Sequence, residues 1–451
     1  MKRLILTAVC ILMGGISLPA ADLPRLTTSE KKNVVLKKDV RNFMLRGKAL
    51  TRVGAEAALA FHVKSAAVPS YEILFRNGPC DGTRKTGSLS HVRNLYKSMA
   101  VDGDWFSFVI AVQEKDIEVQ INEQTVVRYT EPEKPWRTAE YKGLRFDRGD
   151  IILRGISGKI EFKDLTLTEL ADGTKNPYDW MPPLDEQTDR AIRFQQKDFP
   201  VIDYHVHLKG GLTAEKARAM SMNYGINYGV VPNLGEGGFG DMYGTDGEAI
   251  DYVQVVRPLP FFCGAQGEGR KWALQFLPST FSAFDYLFTD SMTIVEDGRP
   301  LRIYREDEFL LKGRTYDQWM DFFVDQTCKI LENEPADFYV NAMFIPKAMQ
   351  ADFEKYWTDE RVNKVLDVLA KHSMALEINA RYKVPSERII KMAKARGLKF
   401  TFGTNNADAN FGRLEYSLEM AEKCGLTKDD MWFPTMSKRA ARKPIRYNTF
   451  K

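Results

Sequence analysis

The alternation of hydrophobic and polar residues along the chain changes its period once, near residue 199. Before that point, apolar and polar side chains alternate in short runs that are separated by turns rich in Gly, Asp and Lys. The runs are AALAFHVKSA, SYEILFRNG, WFSFVIAVQ, DIEVQINEQTVVRY, GDIILRG and KIEFKDLTLTEL. Alternation with a period of two is typical of strands that bury one face. Residues from about 33 to 170 are therefore predicted to form an all-β sandwich or jelly roll.

From Phe199 onward, apolar strand-like runs alternate with helix-like segments. The strand-like runs are PVIDYHVHL, YGVVPN, PFFCGAQGEG, DYLFTDSMT, DFYVNAMFI, MALEINA and KFTFGTNN. Amphipathic segments such as DERVNKVLDVLAKHS lie between most of them, and one connection contains a hairpin-like stretch, TIVEDGRPLRIYREDEF. Seven such units predict a closed parallel, distorted TIM-like α/β barrel. An open doubly wound sheet is the alternative, but the glycine-rich phosphate loop of many such folds is absent.

The first residues have the pattern of a secretory signal. Lys2 and Arg3 precede an apolar stretch from Leu4 to Leu18, and Ala20 offers a cleavage point. An uncleaved anchor is the alternative, but the apolar stretch is short and interrupted by glycine. We expect a periplasmic or secreted protein with no stable membrane span after cleavage. The expected parts are a signal peptide over 1–21, a β-sandwich over 22–170, a linker over 171–198 and a barrel over 199–451.

Composition narrows the class of protein and its partners. The chain has 451 residues, of which 44% are hydrophobic and 27% charged, as in globular proteins. A net charge of +4 without a basic run makes nucleic acid a poor partner. The four cysteines after the predicted cleavage point are scattered, which favours buried thiols over a disulfide framework, although export permits a disulfide.

Polar side chains gather where the predicted barrel strands end, which is where parallel barrels carry their sites. Three carboxylates at strand ends are candidate catalytic residues: Glu268, Asp290 and Glu377. The candidate substrate-binding residues are Asn233, Arg270, Asn341, Asn379, Arg381, Asn405 and Asn406. Because Glu377 lies in an otherwise apolar strand, it needs a cation nearby, which Arg270 or Arg381 could supply.

The stretch DYHVHL places two histidines two residues apart on one face of a strand. His205 and His207 could share one Zn²⁺ or Mn²⁺ ion, with Glu268 and Glu377 as further ligands and Asp203 holding the second ring N–H of a ligand. The alternatives are a pair of histidines that hydrogen bond inside the barrel, and a site that has lost its metal. We predict one divalent metal ion, with a metal-free site as the alternative.

The barrel half resembles the PHP family of polymerase and histidinol phosphatase metal-dependent barrels. The resemblance rests on DYHVHL and on MALEINARYKVPSERIIKMAKARGLKFTFGTNN, and it spans about residues 199–430. It implies that His205 and His207 are metal ligands and that Glu268 matches a mid-barrel glutamate. The closing Ser-Asp-x-His of the family is replaced here by Thr404 to Ala407, and Asn341 stands where a histidine is expected. A three-metal phosphatase centre is therefore not expected.

The β half resembles the jelly-roll domain of the 3-keto-disaccharide hydrolase, or 3-keto-glucoside lyase/hydratase, family. The resemblance rests on TGSLSHVRNLYK, DGDWFSFVIAV, DIEVQINEQTVVRYTEP and RGDIILRGISGKIEFKDLTLTEL. It implies chemistry on sugars oxidised at carbon 3. Glu123 replaces the glycine of the usual Asn-Gly turn, and Arg154 replaces a glutamine of the late motif. The candidate polar residues of this half are Glu72, Arg76, His91 and Arg93.

Three functions remain open on the sequence. The favoured hypothesis is an exported, metal-dependent enzyme that hydrolyses or eliminates a (3-keto-)glycoside, with carbohydrate as its partner. The second is a glycan-binding protein whose barrel has lost its metal. The third is a PHP-type phosphoesterase.

Overall fold

The computed structural model describes residues 20–173, 184–236 and 242–434. Nearly all of the predicted signal peptide lies outside these ranges, as do residues 174–183 of the predicted linker and 435–451 of the predicted barrel region. The chain divides into two compact units. The first runs to Asp198 and includes Ala219–Gly225, and the second contains Phe199–Arg218 and the chain from Ile226 onward.

The first unit consists mainly of antiparallel strands with one short helix. The strands are β1 (Ala21–Leu23), β2 (Leu26–Thr28), β3 (Asn33–Val40), β4 (Phe43–Leu50), β5 (Glu56–Val63), β6 (Tyr71–Phe75), β7 (Trp105–Gln113), β8 (Asp116–Ile121), β9 (Gln124–Thr130), β10 (Gly149–Ser157) and β11 (Ile160–Glu169). The helix is α1 (Arg190–Gln196), which lies within the range predicted as a linker.

These strands form two sheets that pack face to face. The larger sheet has the order β1-β11-β4-β7-β8-β9 with β2 also paired to β11, and the smaller has the order β3-β10-β5-β6. Alternate residues of both sheets, such as Phe61, Phe75, Phe108 and Phe162, meet in one buried apolar core. This packing of two apolar faces is what the period of two predicts.

The hairpin between β8 and β9 accommodates the departure from an Asn-Gly turn. Asn122 and Glu123 both have positive φ angles, 48° and 64°, as a two-residue type I′ turn requires. The Asn122 side chain helps to fix the turn, because its Oδ1 accepts a hydrogen bond from Ser107 N at 3.1 Å. The glycine of the usual turn is therefore replaced without loss of the hairpin.

The second unit alternates strands and helices. Its strands are β12 (Ile202–Val206), β13 (Asn227–Val230), β14 (Asn233–Gly235), β15 (Met242–Tyr243), β16 (Phe262–Glu268), β17 (Tyr286–Thr289), β18 (Thr293–Glu296), β19 (Arg299–Arg302), β20 (Phe338–Tyr339), β21 (Ala375–Asn379) and β22 (Phe400–Gly403). Its helices are α2 (Ala214–Tyr224), α3 (Asp246–Val256), α4 (Trp272–Gln275), α5 (Pro278–Ala283), α6 (Tyr316–Asn333), α7 (Lys347–Gln350), α8 (Phe353–Tyr356), α9 (Asp359–Lys371), α10 (Glu387–Ala395) and α11 (Glu415–Lys423).

Seven parallel strands of this unit close into a barrel. Their order is β13-β12-β22-β21-β20-β17-β16, and β16 pairs with β13 to complete the ring. Threonine side chains cap the starts of α3, α6 and α9, and Thr315 with Gln318 forms a capping box at the start of α6. The predicted hairpin is formed by β18 and β19.

Aromatic side chains fill the barrel interior below the strand ends. Tyr286 packs against Tyr204 and Phe338, with ring centroids 5.2 and 5.4 Å apart. A Cβ at Gly264 would lie 2.0 Å from the Tyr286 ring, so only glycine leaves room for it. Polar residues follow these aromatic residues along the strands, and the polar layer therefore lies at the carboxyl ends.

The predicted fold class is confirmed: a β-sandwich is followed by a seven-stranded α/β barrel. Among the described cysteines, Cys328 and Cys424 are free thiols. In the described part of the chain, none of the helices has the length and apolar character needed to cross a membrane.

Candidate functional site

The polar residues at the carboxyl ends of the barrel strands form one connected hydrogen-bond network. Most of its members are nearly inaccessible to solvent, whereas Glu268 at the end of β16 is only partly buried. Buried polar groups are stable only when they are paired, so each contact in this network has energetic consequences.

His205, on β12, lies at the centre of the network. Its Nδ1 is 2.7 Å from Glu377 Oε1, and its Nε2 is 3.3 Å from Gln266 Oε1. The side chain that pairs with Glu377 is therefore His205, and not Arg270 or Arg381. The other carboxylate oxygen of Glu377 accepts hydrogen bonds from Asn341 N at 2.6 Å and Asn379 Nδ2 at 2.9 Å.

Gly403, on β22, makes room for the pair of His205 and Glu377. A Cβ at this position would lie 2.0 Å from Glu377 Oε1 and 2.7 Å from the Cβ of His205. Sequence reasoning did not select Gly403. The signal was available, because a glycine at a strand end between two polar strands often marks a close approach of neighbouring groups.

Two carboxyl groups lie side by side at the end of β16 and after β17. Gln266 Nε2 lies 3.0 Å from Glu268 Oε1 and 3.3 Å from Asp290 Oδ2, so one amide contacts both. Burial and the neighbouring Asp290 raise the pKa of Glu268 to about 8. Burial likewise raises the pKa of Asp290. Glu268 therefore keeps a transferable proton near neutral pH beside a second carboxyl group, which suits the pair to proton transfer.

Arg270 is buried beside this pair and lies 3.8 Å from Asp290 Oδ1, but its nearer carboxylate partner, Glu334, is one that the sequence did not single out. Its Nη1 lies 3.2 Å from Glu334 Oε1 and donates to the Asp290 carbonyl at 2.9 Å. Glu334, which follows α6, also accepts from Trp272 Nε1 at 2.8 Å and from the Thr289 hydroxyl. Arg270 therefore anchors the backbone of Asp290, and Glu334 balances its charge.

Three asparagines predicted to bind substrate come together. Asn341 Oδ1 accepts from Asn379 Nδ2 at 3.1 Å and from Asn405 Nδ2 at 3.0 Å, while Asn341 Nδ2 donates to Asp290 Oδ2 at 3.2 Å. Asn341 and Asn405 have positive φ angles of 46° and 43°, and Arg270 has one of 45°. Strained backbone of this kind is concentrated at functional sites.

The remaining predicted residues support the strand ends. Asn406 accepts from His207 N at 2.7 Å and donates to His207 O at 2.9 Å, which ties β22 to β12. Burial and the neighbouring His205 hold the pKa of His207 well below its usual value, so its ring is neutral. Asp203 accepts from the His205 and Thr404 backbone N–H groups at 3.0 and 3.1 Å, rather than from a histidine ring. Asn233 lies opposite Gln266 in the β14-β16 register.

Two of the predicted metal ligands, His205 and Glu377, hydrogen bond to each other. The ring nitrogens of His205 and the oxygens of Glu377 are engaged in the hydrogen bonds given above. Within residues 20–173, 184–236 and 242–434, no group of three or more His, Cys, Asp or Glu side chains is arranged to hold a metal ion. This arrangement does not fit the predicted ligand set, and metal content stays a prediction for measurement.

The four candidates in the β-sandwich do not form one cluster. Glu72 pairs with Arg154, and Arg76 pairs with Glu56 at 3.1 Å, both as partly exposed ion pairs. His91 Nε2 lies 2.8 Å from Tyr141 Oη, and the two rings stack. Arg93 is buried, with its guanidinium 4.8 Å from the centroid of the Tyr129 ring. The contacts of Glu72, Arg76 and Arg93 are therefore ion pairs and side-chain packing. His91 and Tyr141 form a separate stacked pair.

Comparison with known proteins gives one family match. Residues 15–168 match the model of the 3-keto-alpha-glucoside-1,2-lyase-like domain. The N-terminal part of the chain is therefore similar to this carbohydrate-related domain, and the match does not extend over the barrel. No curated protein matches the chain.

Solved structures that resemble part of the chain match about a third of its length. A candidate glycosyl hydrolase from Parabacteroides distasonis is 13% identical with a TM-score of 0.27, and the alignment covers 33% of this chain and 81% of that protein. A second candidate glycosyl hydrolase from this organism is 17% identical with a TM-score of 0.27. The alignment covers 33% of this chain and 88% of that protein. The carbohydrate binding module CBM66 from Bacillus subtilis is 11% identical with a TM-score of 0.23, covering 33% of this chain and 90% of the module. TM-scores this low support no inference about function.

Proposed function

We propose that this protein is an exported carbohydrate-processing enzyme that cleaves a glycoside, with a 3-keto-glycoside as the preferred substrate class. The match of residues 15–168 to a 3-keto-glucoside lyase-like domain supports the substrate class. The observation that carries the catalytic part is the pair of Glu268 and Asp290, joined through Gln266 Nε2. Enzymes that break glycosidic bonds commonly use one carboxylic acid and one carboxylate, and in this proposal Glu268 is the acid and Asp290 the carboxylate.

The proposed reaction is an elimination assisted by these two groups. A keto group at carbon 3 acidifies the C–H bond at carbon 2, and the carboxylate of Asp290 accepts that proton. The electron pair forms the C1=C2 double bond as the C1–O bond breaks, and the leaving oxygen takes the proton of Glu268. Addition of water across the double bond then gives the hydrolysed sugar. No step passes through a metal ion.

Glu377 has a positioning role in this proposal, in place of the catalytic role expected from the sequence. Both of its oxygens are engaged within the network, Oε1 by His205 and Oε2 by the Asn341 backbone and Asn379. It holds His205 against Gln266, which in turn sets the distance between Glu268 and Asp290. The effect of Glu377 on the reaction is therefore indirect.

The test is turnover of a defined substrate panel by the mature chain. Unoxidised glycosides, the matching 3-keto-glycosides and phosphate esters are followed by NMR, with Glu268→Gln and Asp290→Asn as variants. Glu360→Gln is the matched control, because Glu360 is exposed on α9. We expect cleavage of the 3-keto-glycosides alone and loss of activity in both site variants. Cleavage of the phosphate esters alone would instead favour the phosphoesterase chemistry that the PHP resemblance implies.

A second candidate, a glycan-binding protein, is favoured by the number of amides in the network. Asn341, Asn379, Asn405 and Gln266 present donors and acceptors that suit sugar hydroxyls. Binding of the same glycosides by calorimetry without any turnover would select this function.

A further inference from the structure

A buried pair of hydroxyl groups adjoins the proposed base in sequence and in space. Ser291 follows Asp290 directly, and its Oγ lies 2.6 Å from Tyr339 Oη. Tyr339 Oη also accepts a hydrogen bond from Met343 N at 3.1 Å. Solvent reaches 3% of Ser291 and none of Tyr339, so both hydroxyl groups depend on these contacts. One phenol therefore connects the chain after β17 with the chain after β20.

The direction of the Tyr339 side chain follows from the alternation of β20. Phe338, the preceding residue, packs in the barrel interior against Tyr286, with ring centroids 5.4 Å apart. Successive residues of a strand face opposite sides, so Tyr339 faces away from the interior. It stands opposite Thr289 in the register of β17 and β20. Because Tyr339 is fully buried, it does not touch a substrate and acts only through the residues that it holds.

The loop after β20 has a strained backbone that needs such support. Asn341 and Met343 have positive φ angles of 46° and 64°, which residues other than glycine rarely adopt. Met343 is held on both sides, because its N–H donates to Tyr339 Oη and its carbonyl accepts from Trp357 Nε1 at 2.8 Å. Trp357 is itself fully buried. These two aromatic side chains stabilise a loop conformation that the residues alone would not favour.

The conformation of this loop determines where the Asn341 amide lies. Asn341 Nδ2 donates to Asp290 Oδ2 at 3.2 Å. The other oxygen of Asp290 accepts from Met292 N at 3.0 Å. Ser291 lies between these last two residues in sequence. The hydroxyl of Tyr339 therefore contacts both the segment that carries the carboxylate and the loop that carries the amide.

We propose that Tyr339 is a positioning residue for the reaction, and that its buried hydroxyl sets the distance between the Asp290 carboxylate and the Asn341 amide. A base must be held in place relative to the C–H bond that it attacks, and a displacement of about 1 Å can cost a factor of about 10² in rate. This inference rests on the proposed function, in which Asp290 accepts the proton of carbon 2. It adds Ser291 and the loop after β20 to the residues on which the rate depends.

The test is steady-state kinetics of the mature full-length chain on the best 3-keto-glycoside. Tyr339→Phe removes the hydroxyl and keeps the ring, Ser291→Ala removes its partner, and the double variant removes both. Tyr416→Phe is the matched control, because the Tyr416 hydroxyl on α11 also donates one hydrogen bond, to Pro385 O at 2.7 Å. Thermal melts show whether each variant is folded. Hydrogen exchange followed by mass spectrometry measures the order of residues 340–346.

We expect Tyr339→Phe to lower kcat by about tenfold to a hundredfold with KM nearly unchanged, because only the placement of the base changes. Ser291→Ala should also lower kcat. The double variant should be no slower than Tyr339→Phe, since that substitution already removes the hydrogen bond between the two hydroxyl groups. Exchange in the loop should be faster in Tyr339→Phe, which leaves Met343 N–H without its partner. Tyr416→Phe should match the unmodified chain in kcat and in loop exchange.

The inference is overturned if folded Tyr339→Phe keeps the kcat of the unmodified chain, or if only its KM rises. Faster loop exchange without a loss of kcat would show a structural clamp that has no effect on the reaction. Loss of activity in Asp290→Asn together with full activity in Tyr339→Phe would support the proposed function and reject this inference. Inactivity of the unmodified chain on the whole panel would refute the proposed function, and the role of Tyr339 in the reaction with it.

Discussion

Replacing Glu268 with glutamine tests the proposed chemistry most directly. Glutamine has nearly the same shape, and its amide oxygen can still accept the hydrogen bond that Gln266 Nε2 makes at 3.0 Å. The substitution therefore removes the transferable proton and preserves the geometry. A general acid typically contributes a factor of about 10² to 10⁴ to the rate, and we expect a loss of that order in kcat.

The pKa of Glu268 sets the pH range in which the effect is visible. Burial and the Asp290 carboxyl raise this pKa from 4.5 to about 8, so about nine tenths of the groups carry the proton at pH 7 and about one tenth at pH 9. The rate of the unmodified enzyme should accordingly fall about tenfold between pH 7 and pH 9. In Glu268→Gln that decline should disappear along with most of the activity.

The same shift has a consequence for stability, with a defined sign. A raised pKa in the folded state means that the contribution of Glu268 to stability is complete below the ordinary pKa of 4.5 and is lost as the pH rises through 8. Glu268→Gln should therefore melt at a higher temperature than the unmodified chain above pH 8, and the difference should shrink toward pH 5.

The assay is kcat from pH 6 to 10 on the best 3-keto-glycoside, paired with thermal melts over the same range. The proposed role of Glu268 as proton donor would be refuted by a rate that rises through pH 8. An unchanged basic limb in Glu268→Gln would refute it as well. Glu360→Gln should behave as the unmodified protein in both measurements.

Three further results are expected. Gly403→Ala should lower kcat by about tenfold or more in steady-state kinetics, because the added Cβ would displace Glu377. Gly143→Ala is the control and should leave kcat unchanged, because nothing lies near its added Cβ. Glu334→Gln should destabilise the barrel by about 3 kcal/mol in urea unfolding, because Arg270 loses the nearer of its two buried carboxylate partners. Dialysis against EDTA should leave activity unchanged, measured together with metal per chain by plasma mass spectrometry; activity restored only by Zn²⁺ or Mn²⁺ would show that the metal prediction was sound.

The fold could be predicted from the sequence because a strand that buries one face has alternating apolar and polar residues, and this pattern is visible within a few positions. The seven barrel strands each coincide with an apolar run such as MALEINA, which contains β21. The runs NVVLKKDV and FMLRGKAL were not selected as separate strands, although they form β3 and β4. β3 is an edge strand whose residues are mostly exposed, so its pattern carries little signal of burial.

The site could be predicted only in part. The positions of the strand ends show which residues lie at the site, but not which side chains they contact. The rule that parallel strands end at one face brings His205, Gln266, Asp290, Asn341 and Glu377 together, as the hydrogen bonds confirm. Glu334 escapes the rule because it follows a helix. Its burial depends on Trp272 and Thr289, which are 62 and 45 residues away in sequence.

The spacing of His205 and His207 does not by itself determine whether they bind a metal ion. A metal ion needs a ring nitrogen without a proton, whereas both nitrogens of His205 face acceptor oxygens, those of Glu377 and Gln266. These two contacts occupy both ring nitrogens, so His205 cannot keep them and bind a metal at once. Which state prevails is set by residues 61 and 172 positions away, and not by the spacing of the histidines. If Gln266 turned its amide, its oxygen would face Glu268 and Asp290, a repulsive arrangement unless a cation or a shared proton lies between them. The orientation of this one amide therefore separates a proton-transfer site from a metal site.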